Sequence, residues 1–119
     1  MTPHELGQLG EQLASNHLIK AGYLILDRQW RYGRIELDII AREGDWVVFV
    51  EVKTRENNYV GEPWESVTRS KQKRIVKAAH EYLLEKGLDV ASRFDVISII
   101  HNSKYQRLEH IQHAFYPTL

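Results

Sequence analysis

Val47-Val48-Phe49-Val50-Glu51-Val52-Lys53 decides how the rest of the chain folds. Its apolar density reads as a strand buried on both faces. The stretch nevertheless ends in Glu51 and Lys53, and the two-residue period of a strand points both to one side. Ionised groups there cost free energy unless a partner, a metal or water meets them. A strand running out into solvent would account for Glu-x-Lys equally well, so the flanking segments must decide.

Ile35-Glu36-Leu37-Asp38-Ile39-Ile40-Ala41 is a second strand, and Arg42-Glu43-Gly44-Asp45 is a tight-turn signal before Trp46. With Gly44-Asp45 as a two-residue loop, Glu43 faces Trp46. Counting outward, Asp38 falls opposite Glu51 and Glu36 opposite Lys53. Opposed residues share a face, with Cβ atoms roughly 4.5–5.5 Å apart. The other face then carries Ile35, Leu37 and Ile39 against Val48, Val50 and Val52, and a one-residue slip would destroy that segregation. Two facing carboxylates repel, so one takes a proton or a cation sits between them.

The remaining segments supply the frame. Thr2-Pro3-His4-Glu5 is a capping box with proline in the first turn. Leu6, Leu9, Leu13, Ala14, His17, Leu18 and Ala21 follow as a helical stripe that stops at Gly22. Glu11 lies on its flank and reads, from this helix alone, as a surface carboxylate. Tyr23 to Arg31 is a first strand. Thr54 to Trp64 is a loop. Thr68 caps a second helix, Arg69 to Lys86, whose first half carries Arg69, Lys71, Lys73, Arg74 and Lys77 with no acid among them. That run is either a solvated face or a phosphate-binding rim. Phe94 to Ile100 is another buried strand, and the intervening helix allows it to run parallel to the third. Gln106 to Phe115 adds an edge strand. His110 and His113 read as surface or edge residues, and His17 as a satisfied core histidine.

Composition sets bounds. The 119 residues fit one domain, 1–119. Sixteen basic and sixteen acidic side chains cancel, so a nucleic-acid partner must be argued from local clusters. The absence of cysteine excludes disulfides and thiolate zinc sites. No signal-peptide pattern and no run of membrane-spanning length is visible, so the expectation is a cytoplasmic protein without a membrane partner.

Asp38 followed by Glu51-Val52-Lys53 on the next strand resembles the PD-(D/E)XK nuclease superfamily. Gly7-x-x-Gly10-Glu11-x-x-Ala14, Gln29-Trp30-Arg31, Glu36-Leu37-Asp38-Ile39-Ile40-Ala41, Val48 to Arg55, Val67-Thr68, Lys71-Gln72 and Arg93-Phe94-Asp95-Val96 look like the bacterial YraN-type family. Leu37 stands where the superfamily name has proline, and Ile35 where the YraN-type pattern has glycine. The resemblance implies an α/β, restriction-endonuclease-like α-β-β-β-α-β core: a mixed sheet flanked by helices, with an extra edge strand. It also implies similarity to Holliday-junction resolvases, a homodimer by analogy, and a metal-site role for Glu11.

The leading expectation is then hydrolysis of nucleic-acid phosphodiesters, DNA ahead of RNA and branched DNA in particular. Asp38, Glu51 and the Val52 carbonyl would hold Mg²⁺ or Mn²⁺, with Glu11 at a second ion or its water. Lys53 would act on the attacking water or the transition state. Glu36 would pair with Lys53 or stand in the outer shell. Arg55, Arg69, Lys71, Lys73 and Lys77 would contact the backbone. Two other readings compete: a non-catalytic nucleic-acid-binding module, and a purely structural ion-pair network.

Overall fold

The computed structural model describes residues 1–117. Helix α1 (Pro3–Lys20) leads into β1 (Leu24–Tyr32), β2 (Ile35–Glu43) and β3 (Trp46–Arg55). A short 3₁₀ turn (Pro63–Ser66) precedes α2 (Arg69–Lys86), β4 (Ala91–His101) and β5 (Gln106–Phe115). The strands form one sheet in the order β1-β2-β3-β4-β5. Only the β3–β4 pair is parallel, because α2 carries the chain back between them; the other neighbours are antiparallel. This is the α/β core expected from the sequence, with β5 as its additional edge strand.

Both helix starts are written locally. The Thr2 hydroxyl accepts from the Glu5 N–H while the Glu5 carboxylate accepts from the Thr2 N–H, and Thr68 caps α2 through the Lys71 N–H. Such caps contribute about 1 kcal/mol each. Alternation along β3 then chooses the faces. Val48 and Val50 pack with Ala14 and Leu18 of α1. Val47 and Phe49 pack with Ile75, Ala78, Ala79 and Tyr82 of α2. Because β3 is covered on both sides it reads as a continuous apolar run.

The β2–β3 hairpin has the expected register, from Glu43 paired with Trp46 to Ile39 paired with Val50. Gly44 supplies the positive φ of 56° that the turn needs. The backbone pairing stops at Ile39–Val50, however, and does not bring Asp38 and Glu51 into the ladder. Strict alternation along β2 fails at the same place. Leu37 packs with Ile40 and Phe49 under α2, not beside Val48 and Val50 as expected. The cause is local. Gln29 of β1 adopts a left-handed φ of 51°, and neither it nor Asp38 contributes to the β1–β2 pairs on either side. The Asp38 carboxylate accepts the Val52 N–H at 2.8 Å, standing in for a ladder bond.

His110 corrects a second expectation. It is not a surface residue: its Nε2 lies 2.8 Å from Asp95 Oδ2, and its Nδ1 lies 3.1 Å from His17 Nε2. Asp95 is fully buried and also receives two hydrogen bonds from the Arg93 guanidinium, at 2.9 and 2.8 Å. Arg93 continues to the Tyr23 hydroxyl at 2.6 Å. Burial disfavours the Asp95 carboxylate, but His110 and Arg93 outweigh it and hold the group below the usual carboxylate range. A register shift between β4 and β5 next to Asp95 accommodates the cluster. His113, by contrast, is exposed as expected and sends only its backbone N–H to Asp95.

Candidate active site

The carboxylates converge where the β2–β3 ladder ends. Beyond Ile39–Val50 the space between the strands is taken by the Asp38 side chain. Glu51 stands next to it, and the Lys53 ammonium lies 3.6 Å from the Glu51 carboxylate. Burial first, and the Glu51 charge second, push the Asp38 carboxyl up to about 8, against the pull of its bond from Val52. Burial also raises Glu51, with Lys53 only partly offsetting it. Burial and mutual repulsion therefore favour a shared proton, or a cation, over two bare carboxylates at this point.

A cleft of about 680 Å³ opens on this point, lined by Glu11, Gln29, Glu36, Asp38, the Val52–Asn57 segment and Val60, among others. Glu11 is not the surface carboxylate its helix suggested: it is only 8 % exposed. Arg28 Nε and Gln29 Nε2 of β1 each approach it at 3.4 Å. Gln29, whose backbone is left-handed at φ 51°, presents that amide to α1. The β3 end of the same wall is set by α1, whose Gly10 backs directly on Thr54.

On the other side of β3 a groove of about 180 Å³ is lined by Glu51, Lys53, Lys71 and Arg74, with Arg34, Ile35, Glu36 and Ile75. The Lys53 ammonium is the main influence holding Lys71 below the usual lysine range. Cations placed that close favour an anion between them. Glu36 lines both spaces but does not pair with Lys53. It takes Arg31, its cross-strand neighbour on β1, at 2.8 Å. Arg31 is simply nearer, since β2 and β3 are no longer laddered at that level.

Comparison with known proteins places this arrangement. The model of the uncharacterised protein family UPF0102 matches residues 10–99, the span from the close approach of α1 through most of β4. The chain belongs to that family. A UPF0102 protein of Bacteroides thetaiotaomicron is 46% identical over 116 residues, covering 98% of this chain and 96% of the relative. One from Chlorobium phaeobacteroides is 46% identical over 120 residues (95% of this chain, 94% of the relative). One from Rhodococcus jostii is 48% identical over 112 residues (92% and 95%).

Within this UPF0102 chain the basic residues divide. Lys71 reaches the groove at Glu51 and Lys53, and Arg55 lines the cleft. Arg69, Lys73 and Lys77 are exposed on α2 and line neither space. Arg74, named in the basic run of α2 but not among the expected backbone contacts, also reaches the groove. Gln29 and Thr54 were missed as site residues, since nothing in their spacing reveals a left-handed turn or a close helix approach.

The residues present fit a hard divalent ion. Among the described residues no three His, Cys, Asp or Glu side chains are gathered to hold a metal by themselves. Mg²⁺ does not require that, since it is held by one or two carboxylates and keeps several waters. Asp38 and Glu51 are such a pair, and their raised affinity for protons is what a cation would relieve.

Proposed function

We propose that the chain is a nuclease of the PD-(D/E)XK kind, hydrolysing phosphodiester bonds of nucleic acid, DNA ahead of RNA. One observation carries this reading: the Asp38 and Glu51 carboxyls converge at the open end of the β2–β3 ladder, with the Lys53 ammonium 3.6 Å from Glu51. Asp38, Glu51 and the Val52 carbonyl are the groups to hold Mg²⁺ or Mn²⁺. Bound there, such an ion supplies Lewis-acid chemistry, lowering the pKa of water and neutralising charge on a phosphate.

The chain's own groups do the rest. The Val52 N–H fixes one Asp38 oxygen, and Asp38 lines the cleft. Lys53, tethered by Glu51, donates an N–H hydrogen bond to the attacking water or to a phosphate oxygen. Lys71 and Arg55 hold the flanking backbone, and Arg69, Lys73 and Lys77 extend that track along α2. Glu11, steadied by Arg28 and Gln29, closes the acidic wall where a second ion would sit.

The test offers linear, single-stranded, flapped and four-way-junction DNA with Mg²⁺ or Mn²⁺. Cleavage that disappears in Asp38→Ala supports the reading. Intact DNA throughout, with Asp38→Ala indistinguishable from wild type, overturns it. The engagement of Glu11 by Arg28 and Gln29 favours one competitor, a module that binds nucleic acid without cutting it. Salt-sensitive binding that persists in Glu51→Ala and needs no divalent ion would select that competitor.

A further inference from the structure

The loop after β3 holds two large apolar side chains in water beside the cleft. Tyr59 is 88 % exposed and Val60 94 %. Isolated exposed apolar residues are ordinary, but these are consecutive, and the loop that presents them is braced. The Tyr59 N–H donates to Asn57 Oδ1 at 3.1 Å, and the Gly61 N–H to the Asn58 carbonyl at 3.1 Å. Asn58 Nδ2 donates to Glu62 Oε1 at 3.1 Å, and Glu62 is ion-paired with Arg107 of β5. On the other flank Asn102 Nδ2 holds the Glu56 carbonyl at 2.8 Å. Both ends of the loop are thus tied to the β4–β5 end of the sheet, and the tip points away from the core.

The position of this tip says what it meets. Val60 lines the same cleft as Asp38, Lys53 and Arg55, only a few residues along the chain from Lys53. Two side chains are far too small a patch for a stable protein interface, which buries on the order of 1,000 Å² or more. The tip is flanked by Glu56 and Glu62 and not by the cluster of Lys and Arg that recognition of an anionic lipid surface calls for. An aromatic ring and a branched aliphatic group beside the Lys53 and Arg55 side chains of the cleft suit the π-face of a nucleobase.

We infer that Tyr59 and Val60 form a wedge that stacks on an unpaired DNA base beside the phosphodiester held in the cleft. The inference rests on the nucleic-acid reading of that cleft, and adds the substrate's structure: DNA with a base already out of the stack. In a continuous duplex the wedge must first unstack a base step, which costs free energy; at a fork, flap or junction the base is open at no such cost.

The test is equilibrium binding in EDTA, so that hydrolysis plays no part. Fluorescence anisotropy compares a fully paired duplex with a splayed fork of the same length. Wild type is expected to prefer the fork about tenfold, the scale of one base stacked on an aromatic ring. Tyr59→Ala with Val60→Ser should lose that preference and keep its duplex affinity, and Tyr59→Phe should retain the preference. The side chains are solvent-exposed, so the melting temperature should not change. Equal affinity of wild type for fork and duplex, or equal loss on both DNAs in the double variant, overturns the wedge. A fork preference that stands while Mg²⁺ and Mn²⁺ give no cleavage supports the wedge and sinks only the hydrolytic reading.

Discussion

Gly10 of α1 lies so close to Thr54 of β3 that a Cβ at position 10 would come 1.8 Å from the Thr54 hydroxyl. The contact sets the distance between the helix bearing Glu11 and the strand bearing Glu51 and Lys53. Gly10→Ala must push α1 off the sheet. It should cost about 1–3 kcal/mol, as overpacking does, read as a lower urea midpoint. Thr54→Ala in the same chain should recover part of the loss, since it removes the nearest atom.

The carboxyl pair gives the metal-free protein an unusual pH dependence. Asp38 rises from 3.8 in the unfolded chain to about 8 in the fold. Between those values the folded state binds the proton that the unfolded state has released, so stability falls as pH rises. Melting temperatures from pH 4 to 8 should show this decline, and Asp38→Asn should flatten it. Added Mg²⁺ should stabilise wild type more at pH 8 than at pH 5, because it competes with that proton. At a hundredfold excess over its Kd the gain is about 2.7 kcal/mol.

Asp95 titrates in the opposite sense. Held below its ordinary value of 3.8 by His110 and Arg93, it contributes stability that is present above 3.8 and lost as the pH falls through the folded value. Asp95→Asn leaves Arg93, itself only 4 % exposed, with the more distant Glu43 carboxylate at 3.4 Å as its remaining ion pair. Breaking one partner of a buried pair costs about 3–5 kcal/mol. Chemical denaturation at pH 7 measures that loss, and a pH series should show a smaller acid-induced drop in the variant.

On the proposed nuclease reading, replacing Lys53 separates chemistry from ion binding. Lys53→Met should lower the cleavage rate by roughly 10²–10³, the scale of removing one donor to a developing charge. The Mg²⁺-induced rise in melting temperature should survive, because Asp38, Glu51 and the Val52 carbonyl remain. Loss of the thermal shift together with the activity would reassign Lys53 to holding the ion site together.

Lys71 is expected to act through the phosphate backbone alone. Lys71→Ala should weaken DNA binding to a similar extent across sequences and reduce the salt dependence by about one ion. A slope unchanged from wild type would leave Lys71 as a neighbour of Lys53 and nothing more.

How far these groups were legible before folding depends on the range of the cause. Thr2-Glu5 and Thr68 start their helices through contacts three residues away, so both caps read directly from the chain. The apolar run of β3 and the Gly44-Asp45 turn establish the hairpin and its register by local turn geometry and face segregation. Asp38, Glu51 and Lys53 could therefore be placed at one end of one hairpin. Periodicity failed at Leu37, where the backbone is irregular and the facing stretch of β1, another strand, holds the left-handed Gln29. Glu36 chose Arg31 over Lys53 for the same reason: the alternatives lie on two neighbours, and only the finished sheet ranks their distances.

The tertiary structure also decided the burial of Glu11 and the joining of His17, His110 and Asp95. Each depends on residues far apart in sequence meeting across the sheet face under α1. Sequence periodicity reports which face a side chain leaves from; it carries no record of what is packed against that face. The chain by itself determined a two-carboxylate, one-lysine hairpin. Folding decided how deeply those carboxyls are buried, and burial is the leading cause of their raised pKa values.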